Sequence, residues 1–305
     1  MNSRKILASL VLFLGCTLAV FGAPSATVLT VKGTVSTGSH QSLQPGAALP
    51  VGAVIQTGSG AEVSLRFFDG TVANVLADSE LTIERLDAEV QGGHNAKETT
   101  TLNLQRGTVV ASLDPAKKGI TNFSVRTPRG IAVAKGTVFA VRVTQDKANA
   151  TVGTMSGVVT FITDRGEISV AFGQASSGGA AQTVAEAVAA DPSLASVFLE
   201  AAVSVANAIG QGAITNTAGT PNLVEGVLAA VVKVAAEANP NSTGEIVRAV
   251  TGAVGSGNAG LVAVATSAAG APAADAGKGG DNNGGNATIL PALDQTQVVV
   301  SPSRN

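Results

Sequence analysis

The sequence lacks tryptophan and tyrosine altogether, and its 305 residues include nine phenylalanines, two histidines and one cysteine. Without Trp and Tyr, the chain has few of the aromatic platforms on which sugars and single-stranded nucleic acids stack. The formal net charge is −2, and the basic residues are scattered rather than clustered. A basic face for nucleic acid is therefore not expected, and we predict no nucleic-acid partner.

Residues suited to catalysis or cofactor binding are equally sparse. His40 and His94 both lie in polar, loop-like sequence and are interpreted as solvated side chains. No Gly-x-Ser-x-Gly element supports a nucleophile elbow. A literal Gly-x-Gly-x-x-Gly match at 255–260 lies in Ala-rich sequence without the preceding strand that dinucleotide binding needs, so it is interpreted as a turn between helices. We predict no enzyme activity, no catalytic residue, no metal site and no cofactor.

The densest group of carboxylates alternates with apolar residues between positions 78 and 89. Its members are Asp78, Glu80, Glu84, Asp87 and Glu89. The alternation favours the solvated face of a strand. Weak cation binding and paired-carboxylate hydrolysis are the alternatives, and the latter needs one carboxyl whose pKa is raised by burial.

The N-terminus has the pattern of an export signal. Arg4 and Lys5 precede an apolar run at 6–21, and Val20-Phe21-Gly22 puts small residues at the two positions that determine cleavage. We predict a signal peptide at 1–22 and an exported protein that is periplasmic or secreted. The alternative is a lipoprotein signal at Cys16, in which case the protein would be attached to a membrane. Cleavage after Gly22 removes the single cysteine and leaves no disulfide.

Residues 26–173 are predicted to form an all-β domain. Short alternating or β-branched runs separated by turn residues indicate an antiparallel sandwich or barrel rather than βαβ units. Asp69-Gly70 is a hairpin signal, since its turn requires positive φ, and Thr127-Pro128 marks a corner between two strands. The predicted runs are 27–35, 53–57, 62–67, 71–76, 80–86, 101–104, 108–113, 122–126, 137–144, 150–154, 158–163 and 167–170.

The second half has a different composition, rich in alanine and valine. We predict a linker at 174–183, a helical region at 184–269, a flexible linker at 270–290 and a tail at 291–305 with a short strand. Helix starts are predicted at Asp191-Pro192 and Thr220-Pro221, and a capping box at Ser242–Glu245. Six apolar residues fall on one face of the helix near 221–235: Val224, Val227, Leu228, Val231, Val234 and Ala235. The predicted fold class is a β domain followed by an Ala-rich α-helical region, α+β overall with separate regions.

A series of short motifs keeps a fixed order along the first half of the chain. They are Gly33-Thr34-Val35, Gly52, Thr57-Gly58, Asp69-Gly70, Gly107-Thr108-Val109, Thr127-Pro128, Gly136-Thr137-Val138-Phe139 and Gly157-Val158-Val159. In order and spacing they resemble the signature of the FecR domain, a periplasmic module of bacterial signalling proteins. The resemblance covers roughly 26–173. It implies a β domain that recognises or senses another molecule.

The signature residues are interpreted as structural rather than chemical. We expect Gly136 to permit a kink, Thr137 to satisfy a neighbouring backbone group and Phe139 to lie in the core. The full predicted set is Asp69, Gly70, Thr127, Pro128, Gly136, Thr137, Phe139 and Gly157.

The resemblance also bears on partners. Signalling members of the family resemble a relay in which a cytoplasmic segment contacts a sigma factor, whereas only residues 1–5 precede the apolar run here. Direct contact with a sigma factor is therefore not expected. We predict a recognition or sensing module that binds another envelope protein. The alternative is a self-assembling structural or adhesive envelope protein.

Overall fold

The computed structural model describes residues 24–92, 94–216, 222–255 and 257–270. The predicted signal peptide with Cys16, the Thr220-Pro221 helix start, the flexible linker beyond 270 and the C-terminal tail lie outside the described residues. All of the described residues belong to one compact unit.

Within the described residues, sixteen strands are followed by five α-helices. The strands are β1 Ala26–Lys32, β2 Val35–Thr37, β3 Ala48–Leu49, β4 Val54–Thr57, β5 Glu62–Phe68, β6 Thr71–Val75, β7 Glu80–Gln91, β8 His94–Leu113, β9 Thr121–Thr127, β10 Gly130–Ala134, β11 Val138–Val143, β12 Ala150–Ser156, β13 Val158–Thr163, β14 Gly166–Ala171, β15 Gln174–Ser176 and β16 Gln182–Thr183. The helices are α1 Val184–Ala190, α2 Leu194–Gly210, α3 Leu223–Ala238, α4 Thr243–Val254 and α5 Ala259–Gly270, with 3₁₀ turns at Pro115–Lys117 and Pro240–Ser242. The predicted fold class, a β domain followed by Ala-rich helices, is confirmed.

The strands form two sheets joined by β8. Sheet A has the order β3-β1-β5-β6-β8-β11-β12-β15-β16, and sheet B has the order β2-β4-β7-β8-β9-β10-β13-β14. The N-terminal part of β8 pairs in sheet B and its C-terminal part in sheet A. The strand pairs are antiparallel except β8 and β9, which run parallel.

The passage of β8 from one sheet to the other depends on Gly107. Its φ is +86°, and a Cβ at this position would lie 2.4 Å from the Cα atom of Ser79. The Ser79 hydroxyl accepts a hydrogen bond from the Thr108 N–H at 2.9 Å, which holds the strand at the crossing. A side chain at 107 would therefore have to displace the Ser79 backbone.

Three phenylalanines lie at the centre of the cluster shared by the two sheets. The Phe123 ring makes edge-to-face contacts with Phe67 and Phe139, each with ring centroids 6.1 Å apart. Phe123 and Phe139 are both fully buried. The predicted core position of Phe139 agrees with this burial.

The helices pack directly on the outer face of sheet A. Val110, Ala140 and Met155 from the sheet share one hydrophobic cluster with α2, α3 and α4. Gly153 makes room for Phe198, since a Cβ there would lie 2.5 Å from the Phe198 ring. The six residues predicted to share one helical face are all buried in this cluster. Among the described residues, no helix has both the length and the apolar character needed to cross a membrane.

The stretch predicted as a linker, 174–183, contains β15 and β16. The two strands pair with each other, and β15 also pairs with β12, so sheet A continues to the start of α1. The Ser176 hydroxyl donates to the Gly179 carbonyl at 2.7 Å, which closes Ser176–Gly179 into a hairpin turn. The same Ser and Gly residues that suggest a flexible linker by composition thus serve as turn residues.

Two further local predictions differ from the structure. β7 and β8 extend far beyond the predicted runs, because charged side chains such as Lys97 and Glu89 pair across the hairpin instead of marking a loop. The capping box lies at Thr183 and Glu186, at the start of α1, rather than at Ser242. The 3₁₀ turn before α4 leaves Ser242 without the extended backbone that a side-chain cap requires.

Candidate functional site

Five of the eight predicted signature residues meet at one place, around the loop 114–118. We call this region the signature junction; it comprises that loop with Asp69, Gly70, Gly136, Thr137 and Gly157. The Asp114 N–H donates to the Gly70 carbonyl at 2.9 Å. The Asp114 carboxylate accepts from the Ala116 N–H at 2.8 Å and so caps the 3₁₀ turn.

Two glycines allow the loop to approach the neighbouring turns. A Cβ on Gly70 would lie 2.8 Å from the Asp114 Cβ, and one on Gly136 would lie 2.7 Å from the Pro115 Cα. Both have positive φ, +76° and +64°. The kink predicted at Gly136 is thus a close backbone approach made possible by the missing side chain.

The polar groups of the junction mostly form hydrogen bonds with each other. Lys117 donates to the Asp69 carboxylate at 2.7 Å and to the Asp69 carbonyl at 2.8 Å. The hydrogen bond from Lys117 lowers the pKa of Asp69. Lys117 itself is mostly buried, whereas the Asp69 side chain is 91% exposed. The junction therefore clamps the β5–β6 hairpin to the loop.

Thr137 meets a neighbouring backbone group through its main chain. Its carbonyl, not its hydroxyl, receives the hydrogen bond from the Leu113 N–H, at 2.9 Å. The hydroxyl is buried and has no hydrogen-bond partner among the described residues. The Thr137 methyl packs where a Cβ on Gly157 would come within 2.7 Å, so the two residues are matched in size.

Thr127 and Pro128 lie elsewhere, in the turn between β9 and β10. The Thr127 hydroxyl donates to the Gly130 carbonyl at 2.9 Å and accepts from the Arg129 N–H at 3.2 Å. The turn between β13 and β14 repeats this arrangement with Thr163, Arg165 and Gly166. Ser176–Gly179 has the same hydroxyl-closed turn without an arginine.

These three turns surround an open pocket of about 490 Å³. It is larger than a second pocket of about 240 Å³ beside the signature junction. We call it the arginine pocket because Arg129 and Arg165 both line it. Its remaining lining residues are Pro128, Gly130, Ala148, Asn149, Ala150, Thr163, Asp164, Ser177 and Gly178.

The two arginines are brought together by strand pairing. Ile131 of β10 pairs with Ile162 of β13, so the turns that precede and follow these residues lie side by side. A Cβ on Gly130 would lie 2.4 Å from the Ile162 carbonyl oxygen, which shows how closely the turns approach. Sequence reasoning missed Arg129 and Arg165, although the repeated Thr-x-Arg-Gly at 127–130 and 163–166 was a visible signal.

The carboxylates near the arginine pocket are of two kinds. Asp164 lines the pocket and is exposed. Asp146 is engaged in its own loop, where its carboxylate accepts from the Thr144 hydroxyl at 2.5 Å and from the Ala148 N–H at 2.9 Å. These hydrogen bonds, that from Thr144 foremost, lower the pKa of Asp146.

Four of the five clustered carboxylates pair with basic residues on the same sheet. Arg106 lies 3.0 Å from Glu80, Arg126 3.5 Å from Glu84 and Lys97 3.1 Å from Glu89, while Asp87 contacts Arg85. This is the arrangement of a solvated strand face. No group of three or more His, Cys, Asp or Glu in the described part of the chain could hold a metal ion.

The histidines and the Gly-rich match lie apart from both regions. His40 and His94 are exposed, and each Nδ1 lies within hydrogen-bonding distance of a nearby backbone carbonyl, that of Gly38 or Gly92. The match at 255–260 covers the connection after α4 and the first two residues of α5, with Ser256 outside the described residues. No strand precedes it in that described stretch.

Comparison with known proteins identifies a family for part of the chain. The model of the family described as "FecR protein" matches residues 53–160, and all eight predicted signature residues lie inside this range. Two crystal structures of a candidate anti-sigma factor from Parabacteroides distasonis ATCC 8503 are similar at 15% and 14% identity, each with a TM-score of 0.34. Each match covers 43% of this chain and 59% of the other. No curated protein matches the chain. The resemblance deduced from the ordered motifs is confirmed by this match of the FecR family model to residues 53–160.

Proposed function

We propose that the protein is an exported, non-enzymatic FecR-domain protein that recognises another protein of the cell envelope. The FecR domain at 53–160 is the observation that carries this proposal. The family supplies periplasmic modules of bacterial signalling proteins, and such modules act by binding. The N-terminal pattern of Arg4, Lys5 and the apolar run supports export.

The chemistry of the surface supports binding rather than turnover. Glu80, Glu84 and Glu89 are paired with cations on a solvated strand face, which is not the desolvated setting of a hydrolytic acid. The exposed polar groups of the arginine pocket, in contrast, are open to a partner.

The test is a crosslinked pull-down from fractionated cell envelope. The bait is the whole mature chain, because the β region alone would expose Val110, Ala140 and Met155, which the helices cover. An unrelated exported protein with the same tag is the control. Enrichment of one envelope protein over this control is expected. Recovery of the bait alone would contradict recognition of a second protein.

One observation favours the alternative of self-assembly. In α5 only Ala265 is buried, and the apolar side chains Leu261, Val262 and Val264 are only partly covered. Sedimentation velocity at two protein concentrations distinguishes the two functions. A recognition module stays monomeric, whereas a self-assembling protein gives a sedimentation coefficient that rises with concentration.

A further inference from the structure

The arginine pocket contains two cations that form no ion pair within the described part of the chain. Four arginines form ion pairs among the described residues: Arg85, Arg106, Arg126 and Arg142. Arg129 and Arg165 form none with any described carboxylate, yet both line the same pocket. An unpaired guanidinium has five N–H donors available to a ligand.

The backbone that carries these side chains is held firmly in place. Each arginine is the third residue of a turn closed by a threonine hydroxyl. The two turns are linked through the pairing of β10 with β13. A ligand that bridges the two guanidinium groups therefore meets a platform whose backbone needs no reordering, which lowers the entropic cost of binding.

The surrounding charges favour a carboxylate ligand over a more highly charged one. Asp164 lines the pocket beside the arginines, and Asp146 lies in the loop that contributes Ala148 and Asn149. These acidic groups limit the net positive potential, so a single multiply charged group such as phosphate gains little there. A single carboxylate matches the planar guanidinium through two parallel hydrogen bonds.

The remaining lining suits a peptide. Pro128 and Ala148 offer small apolar contacts for methylene groups, and Asn149 adds an amide that can hydrogen-bond a peptide backbone. The volume of about 490 Å³ is large enough for a few side chains. We propose that the arginine pocket binds Glu or Asp side chains of an acidic segment in the protein partner. This rests on the proposed function, since it assumes that the partner is a protein.

Binding is tested on the full mature chain with two dye-labelled peptides, capped at both ends. One alternates Glu with Gly, and the other alternates Gln with Gly. We expect fluorescence anisotropy to show at least about tenfold tighter binding of the Glu peptide, as expected for a gain of one or two charge-assisted hydrogen bonds. Equal binding of the two peptides would overturn the proposal.

The site is tested with the double variant Arg129→Gln/Arg165→Gln against Arg248→Gln. Arg248 is the matched control, because it is exposed on α4, forms no ion pair with a described carboxylate and lies outside the pocket. The double variant should bind the Glu peptide about tenfold or more weakly than wild type does, whereas Arg248→Gln should bind it with unchanged affinity. Equal affinity of the double variant and wild type would overturn the assignment.

Two further measurements keep the proposal testable if the double variant is misfolded or if the peptide binds as a general anion. Circular dichroism confirms that the double variant is folded, and should it fail to fold, amide chemical shifts of the wild type on titration with the Glu peptide decide the site. Shifts concentrated at 127–130 and 163–166 support the proposal, and shifts elsewhere overturn it. Displacement of the Glu peptide by inorganic phosphate more effectively than by acetate, at equal ionic strength, would overturn the carboxylate assignment.

The same double variant separates this inference from the proposed function. If wild type and double variant capture the same envelope protein equally, recognition stands and the pocket assignment fails. If the wild type captures no protein, the proposed function fails, while the two peptides still decide whether the pocket prefers carboxylates.

Discussion

The signature junction and the arginine pocket have similar backbone arrangements, but their polar side chains differ in what they contact. Both consist of hairpin turns brought together by strand pairing, with a glycine where two backbones approach. At the junction, Lys117 and Asp69 satisfy each other and Asp114 caps its own loop. At the pocket, the threonine hydroxyls close the turns from within and leave Arg129 and Arg165 facing solvent.

The comparison separates residues whose side chains the fold engages from residues whose side chains it leaves exposed. Where a side chain is fully in contact with the rest of the fold, its removal should lower the free energy of unfolding. Where the backbone is fixed but the side chain is exposed, its removal should lower only the affinity for a ligand. Substitutions at four places in the β domain test this division.

The largest effect is expected from Phe139→Ala. Phe139 is fully buried and contacts Phe123, so its truncation should lower the free energy of unfolding by ~3–5 kcal/mol. Urea unfolding followed by circular dichroism measures this. Val158→Ala is the control. Val158 is 50% exposed, so its truncation should lower the free energy of unfolding by less than about 0.5 kcal/mol. An unchanged midpoint for Phe139→Ala would contradict the core assignment.

Gly136→Ala tests the signature junction itself. A Cβ would lie 2.7 Å from the Pro115 Cα at a φ of +64°, so we expect a loss of about 1–3 kcal/mol in unfolding free energy. Gly252→Ala is the matched control, because Gly252 is exposed in α4 with no atom within 4 Å of its Cβ position. That change should stabilise the protein by roughly 0.5–1 kcal/mol. An unchanged or higher unfolding free energy for Gly136→Ala would contradict the junction.

Lys117→Met tests the ion pair that clamps the junction. The pKa of Asp69 is lowered in the folded protein, so the pair stabilises the fold above the pKa of the unfolded carboxyl and loses that effect as pH falls through the folded pKa. Because Asp69 is largely exposed, the substitution should lower the free energy of unfolding at neutral pH by less than about 1 kcal/mol. Thermal midpoints across pH should differ at neutral pH and converge in acid. A difference that persists in acid would show that the charge of Asp69 is not involved.

The smallest effect on stability is expected at the arginine pocket. Arg129→Gln/Arg165→Gln removes two exposed side chains without ion pairs to described carboxylates, so the unfolding free energy should change by less than about 0.5 kcal/mol. Urea unfolding alongside Gly136→Ala gives the direct comparison. A loss as large as that of Gly136→Ala would mean that the arginines support the fold, and the division between the two regions would not hold.

The export signal and the choice of envelope partner stay predictions from the sequence. N-terminal sequencing of protein recovered from the periplasm would distinguish cleavage after Gly22 from lipidation at Cys16. The first outcome begins with Ala23, and the second gives a blocked N-terminus in the membrane fraction.

Local sequence was sufficient wherever the signal spans a few residues. Alternating apolar residues located most strands, Asp69-Gly70 located a hairpin, and the spacing of Val224, Val227 and Val231 located the buried face of α3. Composition misled at 174–183, where Ser and Gly form a turn in a continuing sheet, and at the charged β7–β8 hairpin. In both places pairing with a neighbouring strand outweighs local preference.

By itself, the sequence determined that a series of strands precedes a series of helices, and it showed the resemblance to the FecR family, because turn chemistry and hydrophobic periodicity act between near neighbours. Only the tertiary structure decided that Gly70 and Gly136 meet the loop 114–118, that Arg129 and Arg165 share a pocket, and that the helices cover sheet A. These contacts join residues that are far apart in the chain. They arise from the pairing order of the strands, which no local pattern of residues specifies.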